Sequence, residues 1–325
     1  MRAHARAQAN IAFAKYWGKV DLDLNLPAVP SLSMTLDSLV TDTEVRFDPR
    51  LDHDAIMLDG KRARVAECTR IIELLDRVRA MAEIGNLYAH VRSENHFPTA
   101  AGLASSASGF AALAGAATAA AGMRWDPKQV SRIARRSSAS AARSVWGGFV
   151  ELGAGKKGDD RLAGRPVKGA EHWDVRLIVA LTAKGAKKVG STVGMERSRR
   201  TSPLYGAWVE EAPKLARRVK KGLNAKDLSV LGPAMEQSTM AFHACAMSSN
   251  PGIMYWQPGT LAALATVRRL RDKGTEVYAT MDAGPHVKAL CHARDARKVQ
   301  GALRRTDGVL GTLMSRPGKD LEVTR

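Results

Sequence analysis

Apolar and polar residues alternate in several short stretches near the start of the chain, and this two-residue period predicts β-strands. The stretches are rich in β-branched residues and are separated by turn residues; they lie at 31–39, 42–47, 54–58 and 87–95. Residues 64–84 instead place apolar residues three and four apart. That spacing predicts a helix among the strands.

Two further helices and a buried strand are predicted toward the middle of the chain. Residues 105–122 form an alanine-rich helix that ends at Gly122. A helix at 126–138 begins with Asp126 as its capping residue and proline at its first position, which is a favoured helix start. The apolar run at 173–183 predicts a strand buried on both faces.

The second half of the chain is mainly helical. Helical periodicity covers 202–223, 224–247 and 257–274, and a strand-like stretch at 275–284 precedes a helix that begins near Ala293. Strands with helices followed by helices with strands predict an α+β fold.

The composition of the chain changes near residue 180, and this is the expected boundary between two lobes, 1–180 and 181–325. A length of 325 residues is more than one typical hydrophobic core requires, which agrees with two lobes. The sequence contains no internal repeat and no long linker.

The net charge is unusual. Fifty Lys and Arg against thirty-two Asp and Glu give +18, which suggests an anionic partner: nucleic acid, a membrane surface or a phosphorylated small molecule. The basic residues are spread over helices, without a basic tail or interleaved aromatics for base stacking. Nucleic acid is therefore the less favoured partner.

Several remaining features favour a cytoplasmic protein without membrane segments. The longest apolar windows are alanine-rich and too short to span a bilayer, and no apolar segment of a secretory signal follows the N-terminus. The three cysteines, Cys68, Cys245 and Cys291, show no metal-binding spacing. We expect them to be reduced thiols.

The stretch NHFPTAAGLASSASG at 95–109 leads small residues into a helix N-terminus. Exposed backbone N–H groups and the helix dipole can bind an anion there, and Ser105, Ser106 and Ser108 add hydroxyl groups that could also bind a metal ion. No Walker sequence occurs in the chain, and this stretch contains no GxGxxG dinucleotide motif. The alternative is a closely packed Ala/Gly helix.

Two other groups of residues can serve an anionic substrate. Lys15, Tyr16 and Lys19 lie within five positions, where the alternative is lysines on a strand edge. The segment RRSSASAARSVWGG at 135–148 offers two serine hydroxyls, at 138 and 140, and the guanidinium of Arg143, which can bind carboxylate or phosphate; the alternative is a polar helix N-terminus.

Asp282 lies at a predicted strand end, directly before an Ala-Gly-Pro turn. Asp at such a position is often only a turn residue. If it faces a basic phosphate site, it can take a proton from a substrate hydroxyl or orient that hydroxyl.

In this order, the motifs resemble those of the diphosphomevalonate decarboxylases, a branch of the galactokinase–homoserine kinase–mevalonate kinase–phosphomevalonate kinase (GHMP) superfamily. The resemblance covers most of the chain, and its long segments are specific to the family. The matching segments are NIAFAKYWGK, LNLP, SLSMTL, SENHFPTAAGLASSASGFAAL, SASAARSVWGGFVEL, GSTVGM, TSPLY, FHA and MDAGP.

The resemblance implies a two-lobed α+β small-molecule kinase fold with a deep cleft between the lobes. It implies an ATP-dependent carboxy-lyase of the mevalonate pathway of isoprenoid biosynthesis. ATP would phosphorylate the 3-hydroxyl of (R)-5-diphosphomevalonate, and loss of that phosphate and of carbon dioxide would give isopentenyl diphosphate. It further implies a requirement for Mg²⁺ and a homodimeric assembly.

The resemblance also assigns roles to residues. Asp282 would be the base or the orienting group for the 3-hydroxyl, Lys15 its cationic neighbour, and Arg143 the group that grips the carboxylate side of the substrate. The residues that would hold the diphosphate are Tyr16, Lys19, Ser138 and Ser140. The residues of the ATP-phosphate loop would be Gly102, Leu103, Ala104, Ser105 and Ser106.

Two assignments within the ATP site are less closely defined. Ser106 would lie nearest to the phosphates and to Mg²⁺. Either Lys187 or Lys188, ahead of GSTVGM, would clasp the γ-phosphate.

The chain departs from the family pattern at several positions. Ser137 and Ala139 replace glycines, Val29-Pro30 replaces Asn-Ser, and His286 replaces Asn. Because two of these changes flank the diphosphate serines, a phosphomevalonate decarboxylase or a mevalonate 3-kinase stays an alternative, although the pair Lys15 and Asp282 favours decarboxylation. A basic nucleic-acid-binding protein is the remote alternative: it requires a continuous basic face, whereas the enzyme requires cations that converge on Asp282.

Overall fold

A computed structural model describes residues 1–85, 87–97, 105–185 and 187–325. It has a mixed α/β architecture in which two main β-sheets carry the helices. The strands are β1 Arg2–Ala14, β2 Lys19–Asp21, β3 Leu26–Pro27, β4 Ser31–Phe47, β5 Ala55–Leu58, β6 Lys61–Arg62, β7 Ala89–Asn95, β8 Phe149–Leu152, β9 Arg165–Lys168, β10 Val175–Leu181, β11 Val277–Met281, β12 Val287–His292, β13 Gly311–Ser315 and β14 Glu322–Thr324. The helices are α1 Val65–Ala82, α2 Ser105–Ala120, α3 Pro127–Ser137, α4 Ser191–Thr201, α5 Tyr205–Ala225, α6 Leu228–Met247, α7 Pro258–Asp272 and α8 Ala296–Arg304.

The first sheet is built around the long antiparallel pair β1 and β4. Its order is β14-β1-β4-β7-β5-β6; in addition, β8 pairs with β4, and β9 pairs with β8. Ala3, Ala5 and Ala7 of β1 are buried against the alanine-rich α2. A Cβ on Gly115 of α2 would lie 3.4 Å from the Cβ of Ala5. Small side chains on both elements therefore let α2 pack close to the sheet.

The second sheet has the order β11-β12-β10-β13 and is buried on both faces. Leu177 and Val179 of β10 pack in a core with α5 and α6, which also contains Phe13 of β1 and therefore joins the two sheets. Ile178 and Ala180 point the other way, into a core with α7 and α8. This sandwiching explains why the strand is apolar at successive positions.

The expected α+β fold is confirmed, and most predicted elements are present. The two strands predicted at 31–39 and 42–47 are a single strand, β4, because pairing with β1 continues through Val40 and Thr41. The predictions do not include helix α4 or several strands, namely β1, β2, β3, β6, β8, β9, β12, β13 and β14. From Ala9 to Ala14 β1 is buried at every position and lacks the alternation that marks a half-buried strand, although Arg2–Gln8 shows it.

The chain crosses between the sheets more than once. Residue 180, the expected boundary, falls inside β10, which belongs to the second sheet. Strand β14 returns to the first sheet, where Thr324 pairs with His4. Over the described residues, no helix has both the length and the apolar character needed to cross a membrane.

Candidate active site

The centre of the candidate site is a carboxylate held by two ammonium groups. Asp282 directly follows β11, Lys15 directly follows β1, and Lys288 lies in β12. The Nζ of Lys15 donates to Oδ1 of Asp282 at 2.6 Å, and the Nζ of Lys288 lies 3.1 Å from Oδ2. The side chains of Lys15 and Lys288 are 4% and 0% exposed, whereas that of Asp282 is 27% exposed. Only the carboxylate is thus open to a ligand.

The charges of this trio are coupled. Burial favours the neutral form of Asp282, but the ammonium groups of Lys15 and Lys288 outweigh it and hold the pKa of the carboxyl well below its ordinary value. Burial lowers the pKa of Lys15 to about 8, although Asp282 acts in the opposite direction. At neutral pH the carboxylate is therefore ionised, which makes it a weak base and a good acceptor of a hydrogen bond from a hydroxyl.

A third lysine reaches the same region from the segment before α4. The Nζ of Lys187 donates to the Ala283 carbonyl at 3.0 Å and to Oγ of Ser191 at 2.7 Å. Burial lowers the pKa of Lys187 to about 8. Lys188 is exposed, without a hydrogen bond or ion pair within the described residues. Of the two lysines expected at the γ-phosphate, the geometry favours Lys187.

Arg143 is buried in a cage of neutral acceptors. Its Nε donates to Oγ of Ser33 at 2.9 Å, one terminal nitrogen donates to Oγ of Ser31 at 2.7 Å, and the other donates to Oδ1 of Asn10 at 3.1 Å. Within the part of the chain that the structure describes, it has no carboxylate partner. Burial lowers its pKa to about 10, so it stays charged at neutral pH. An uncompensated buried guanidinium is suited to an incoming carboxylate or phosphate.

The predicted serine pair lies next to Arg143. Oγ of Ser138 and Oγ of Ser140 are 3.0 Å apart, and the Ser140 carbonyl accepts from Nδ2 of Asn10. The 3-10 turn Ala139–Arg143 places Ser140 and Arg143 in one short segment. The ring of Tyr16 lies 6.0 Å from the Arg143 guanidinium. The structure thus brings together these four residues, which sequence motifs more than 120 positions apart had suggested.

Lys19 joins this side of the site together with a residue from α1. Burial and, to a smaller extent, the positive charge of Arg70 lower the pKa of Lys19 to about 8. Arg70 also donates to the carbonyl of Ser137 at 3.4 Å. Lys19 lies 3.5 Å from Oγ1 of Thr192 on α4, so the two lobes meet here.

The predicted ATP-phosphate loop is described only in part. Gly102, Leu103 and Ala104 lie outside the described residues. Ser105 begins α2 and Ser106 is exposed in its first turn, so the Ser106 hydroxyl is open to a ligand at the positive end of the helix dipole. Ser108 instead lies buried, with its Oγ 2.6 Å from Oγ1 of Thr41. Its hydroxyl serves the packing of α2 on β4.

Of the five replaced residues, Pro30 is half-buried and the other four are buried. The hydroxyl of Ser137 lies 3.5 Å from a terminal nitrogen of Arg77 and is directed toward α1. Ala139 and Val29 are buried in small apolar clusters. His286 is fully buried, and its Nδ1 accepts from the backbone N–H of Thr182. These replacements therefore do not change the outward-facing groups of Ser138 and Ser140.

Three residues of the site were not singled out by the sequence: Asn10, Arg70 and Lys288. For Lys288 a signal exists, since a lone lysine interrupts an otherwise apolar strand, VKALC, five residues after the turn begins. A charged residue inside a buried strand normally requires a partner. Asn10 and Arg70 have no comparable signal.

Among the described residues, no group of three or more His, Cys, Asp or Glu side chains could hold a metal ion. Mg²⁺ is commonly bound through one or two protein oxygens together with the phosphates of a substrate. The exposed hydroxyl of Ser106 fits that kind of site.

Both halves of the chain match family models. Residues 7–163 match the model described as diphosphomevalonate decarboxylase-like N-terminal domain, and residues 177–309 match that of the mevalonate 5-diphosphate decarboxylase C-terminal domain. The diphosphomevalonate decarboxylase of Schizosaccharomyces pombe is 36% identical over 299 residues, which cover 86% of this chain and 76% of the relative.

Solved structures agree with the sequence matches. Mevalonate diphosphate decarboxylase from Staphylococcus aureus has a TM-score of 0.94 at 35% identity, with coverage of 100% of this chain and 98% of the other. A structure of MDDEF in complex with MVAPP, AMPPCP and magnesium has a TM-score of 0.93 at 36% identity, with coverage of 100% and 99%.

Proposed function

The chain belongs to the diphosphomevalonate decarboxylase family, and on that premise we propose that it converts (R)-5-diphosphomevalonate and ATP into isopentenyl diphosphate, carbon dioxide, ADP and phosphate. The observation that carries the proposal is the ionised carboxylate of Asp282, the only partly open group of a trio whose two ammonium groups are buried. Cations that converge on one carboxylate favour this enzyme over a nucleic-acid-binding protein, which would require a continuous basic face.

Asp282 orients the 3-hydroxyl of the substrate toward the γ-phosphate. Its low pKa means that it accepts a hydrogen bond rather than removing the proton before transfer. Lys15 and Lys187 supply positive charge beside the oxygens between which the phosphoryl group passes. Positioning and charge stabilisation are the main requirements of phosphoryl transfer.

Decarboxylation follows from the same arrangement. A phosphate on a tertiary carbon leaves readily when positive charge can develop on that carbon, and a neighbouring carboxylate then fragments to carbon dioxide. Arg143, buried without a counter-ion among the described residues, holds that carboxylate and fixes its direction. Tyr16, Lys19, Ser138 and Ser140 hold the diphosphate.

ATP and Mg²⁺ are the proposed co-substrate and metal, as supported by the relative that binds AMPPCP and magnesium. Ser106 would contribute a hydroxyl to the metal and phosphates, and Gly102, Leu103, Ala104 and Ser105 would complete the phosphate loop. The metal would supply charge neutralisation of the triphosphate.

We extend the proposal to organisation and location. Residues 1–180 and 181–325 are proposed as the two functional lobes, the second carrying Asp282. A homodimer is supported by the family resemblance, and size-exclusion chromatography with light scattering tests it. A cytoplasmic location is supported by three cysteines that are all free thiols.

The test is a carbon dioxide release assay with ATP in which mevalonate, its 5-phosphate and its 5-diphosphate are compared. The proposal predicts release from the 5-diphosphate with the highest kcat/KM. The inward direction of the Ser137 side chain supports this choice. A preference for the 5-phosphate would make the chain a phosphomevalonate decarboxylase, and ATP consumption without carbon dioxide from mevalonate would make it a 3-kinase.

A further inference from the structure

Lys288 is anchored in the interior of the second sheet. It lies in β12, an interior strand of the second sheet, where it pairs with Thr280 of β11 on one side and with Val179 of β10 on the other. Thr280 is itself fixed, since its Oγ1 donates to the carbonyl of Ala12 on β1 at 3.2 Å. The ammonium of Lys288 therefore approaches Asp282 from a part of the fold that cannot easily move.

The two oxygens of Asp282 are divided between two lysines. The Nζ of Lys15, at the end of β1, lies 2.6 Å from Oδ1, and the Nζ of Lys288, in β12, lies 3.1 Å from Oδ2. Two separate contacts restrict rotation of the carboxylate about its last bond, which is otherwise a soft torsion. The direction in which the exposed side of Asp282 meets a hydroxyl is then fixed.

Charge balance alone does not explain Lys288. Asp282 is already neutralised by Lys15, so a second buried ammonium leaves this trio with a net positive charge. Burial of an additional ion costs free energy, and an apolar residue at the same strand position would avoid that cost. The excess charge is useful only where a further anion enters the site.

From these contacts we infer that Lys288 is a positioning residue of the proposed reaction: its buried ammonium fixes the orientation of Asp282 and adds positive charge beneath the incoming phosphoryl group. With 0% exposure, its side chain acts through Asp282 and does not touch the substrate. The inference rests on the proposed function, because the hydroxyl that Asp282 orients belongs to the proposed substrate.

The pH dependence of this site involves every charged or titratable group that faces Asp282. These groups are Lys15, Tyr16, Arg143, Lys187, His243, His286 and Lys288. Burial lowers the pKa of His243 to about 3 and that of His286 to about 4, so both rings are neutral at neutral pH. The lysines and Asp282 therefore determine how the activity changes with pH.

Replacement of Lys288 shifts two ionisations in the same direction. The Lys288 charge lowers the pKa of Asp282 and also that of Lys15, so Lys288→Met raises both. The pKa of Asp282 stays far below the pH range of the assay, so the observable change is in the basic limb of the kcat–pH profile. That limb moves to higher pH by about one unit, as expected for loss of a positive charge near Lys15. We expect kcat at pH 7 to fall by about tenfold, with the KM for ATP nearly unchanged.

The experiment compares wild type, Lys288→Met, Lys288→Arg and Lys298→Met in the carbon dioxide release assay across pH. Lys298→Met is the control, because Lys298 is an exposed lysine on α8 without an ion pair among the described residues. Lys288→Arg retains the charge and keeps the basic limb near its wild-type position. Active wild type together with an unshifted basic limb in Lys288→Met contradicts the inference, whereas wild type that releases no carbon dioxide contradicts the proposed function.

A thermal measurement covers the case in which Lys288→Met is inactive for another reason. If Lys288 acts through Asp282, the change in Tm caused by Lys288→Met is less unfavourable in an Asp282→Asn background than in wild type, because the ion pair is already lost there. Additive changes in Tm contradict the inference whatever the activity.

Discussion

The prediction most closely tied to the site concerns Asp282→Asn. The amide keeps the shape of the side chain but removes the negative charge between the ammonium groups of Lys15 and Lys288, which lie 2.6 Å and 3.1 Å from its two oxygens. One amide oxygen can still accept a hydrogen bond, but the amide nitrogen faces an ammonium group as a second donor. The hydroxyl of the substrate therefore loses its fixed acceptor.

The expected loss of activity follows from that role. A positioned group that interacts with a reacting proton contributes typically 10² to 10⁴ in rate, so we expect kcat to fall by about 10³-fold. That factor corresponds to about 4 kcal/mol of activation free energy. Removal of a negative charge from among cations does not weaken the binding of ATP or of the diphosphate, so both KM values stay near those of wild type.

The variant is expected to remain folded. Removal of one partner of a buried ion pair costs about 3–5 kcal/mol when the other partner stays charged. Burial lowers the pKa of Lys15 to about 8 even with the Asp282 charge beside it. Loss of that charge lowers the pKa further, so Lys15 can release its proton near neutral pH at little cost. We therefore expect a destabilisation of about 2 kcal/mol, and Tm should fall by several degrees.

The assay measures carbon dioxide release at saturating ATP and substrate, with ATP affinity measured separately by calorimetry. Asp307→Asn is the matched control, because Asp307 is exposed and has no ion pair in the part of the chain that the structure describes. Near-normal kcat in Asp282→Asn, or a rise in KM with unchanged kcat, would refute the role given to this carboxylate.

Three further predictions concern the phosphate loop, the lysines and the contact between the lobes. Ser106→Ala should lower kcat by about tenfold with little change in the KM of the diphosphate substrate, because the exposed hydroxyl serves phosphate transfer; an unchanged kcat would remove Ser106 from the site. The kcat/KM of wild type should fall above about pH 8, where Lys15 and Lys187 lose their protons. The fall in kcat should lie at higher pH, because bound anions raise the pKa values of both lysines. If kcat and kcat/KM fell at the same pH, this prediction would be contradicted. Gly18→Ala should destabilise the fold by about 2 kcal/mol, since Gly18 has φ +108° and a Cβ there would lie 2.0 Å from the hydroxyl of Tyr205. Denaturant unfolding measures this loss, and adding Tyr205→Ala to the same chain should recover part of it.

The sequence predicted the elements whose periodicity reflects one buried face. Helix α1 and strand β7 are examples, since each buries one face and leaves the other more exposed. Strand β12 was not predicted, because it is buried at five successive positions and lacks a polar period. In β1 this holds only from Ala9 to Ala14, whereas Arg2–Gln8 alternates between more exposed and buried residues, a period that is visible in the sequence. Their positions depend on neighbours that are distant in sequence.

The site was predicted in its chemistry more than in its geometry. Motifs indicated Lys15, Arg143 and Asp282 as an anion-binding group, and the structure shows Lys15 in contact with Asp282 across 267 positions of sequence. The neutral cage of Arg143, formed by Asn10, Ser31 and Ser33, depends on the register of β1 against β4 and is not visible in the sequence. The same holds for the direction of Lys288.

The most direct test of the central claim is the stoichiometry of products formed from ATP and (R)-5-diphosphomevalonate. ADP, phosphate and carbon dioxide are measured in one reaction mixture by coupled assay and gas trapping, with wild type and Asp282→Asn side by side. The account predicts one of each per isopentenyl diphosphate in wild type and almost none in the variant. ADP formed without carbon dioxide in wild type, or carbon dioxide released by Asp282→Asn at the wild-type rate, would contradict it.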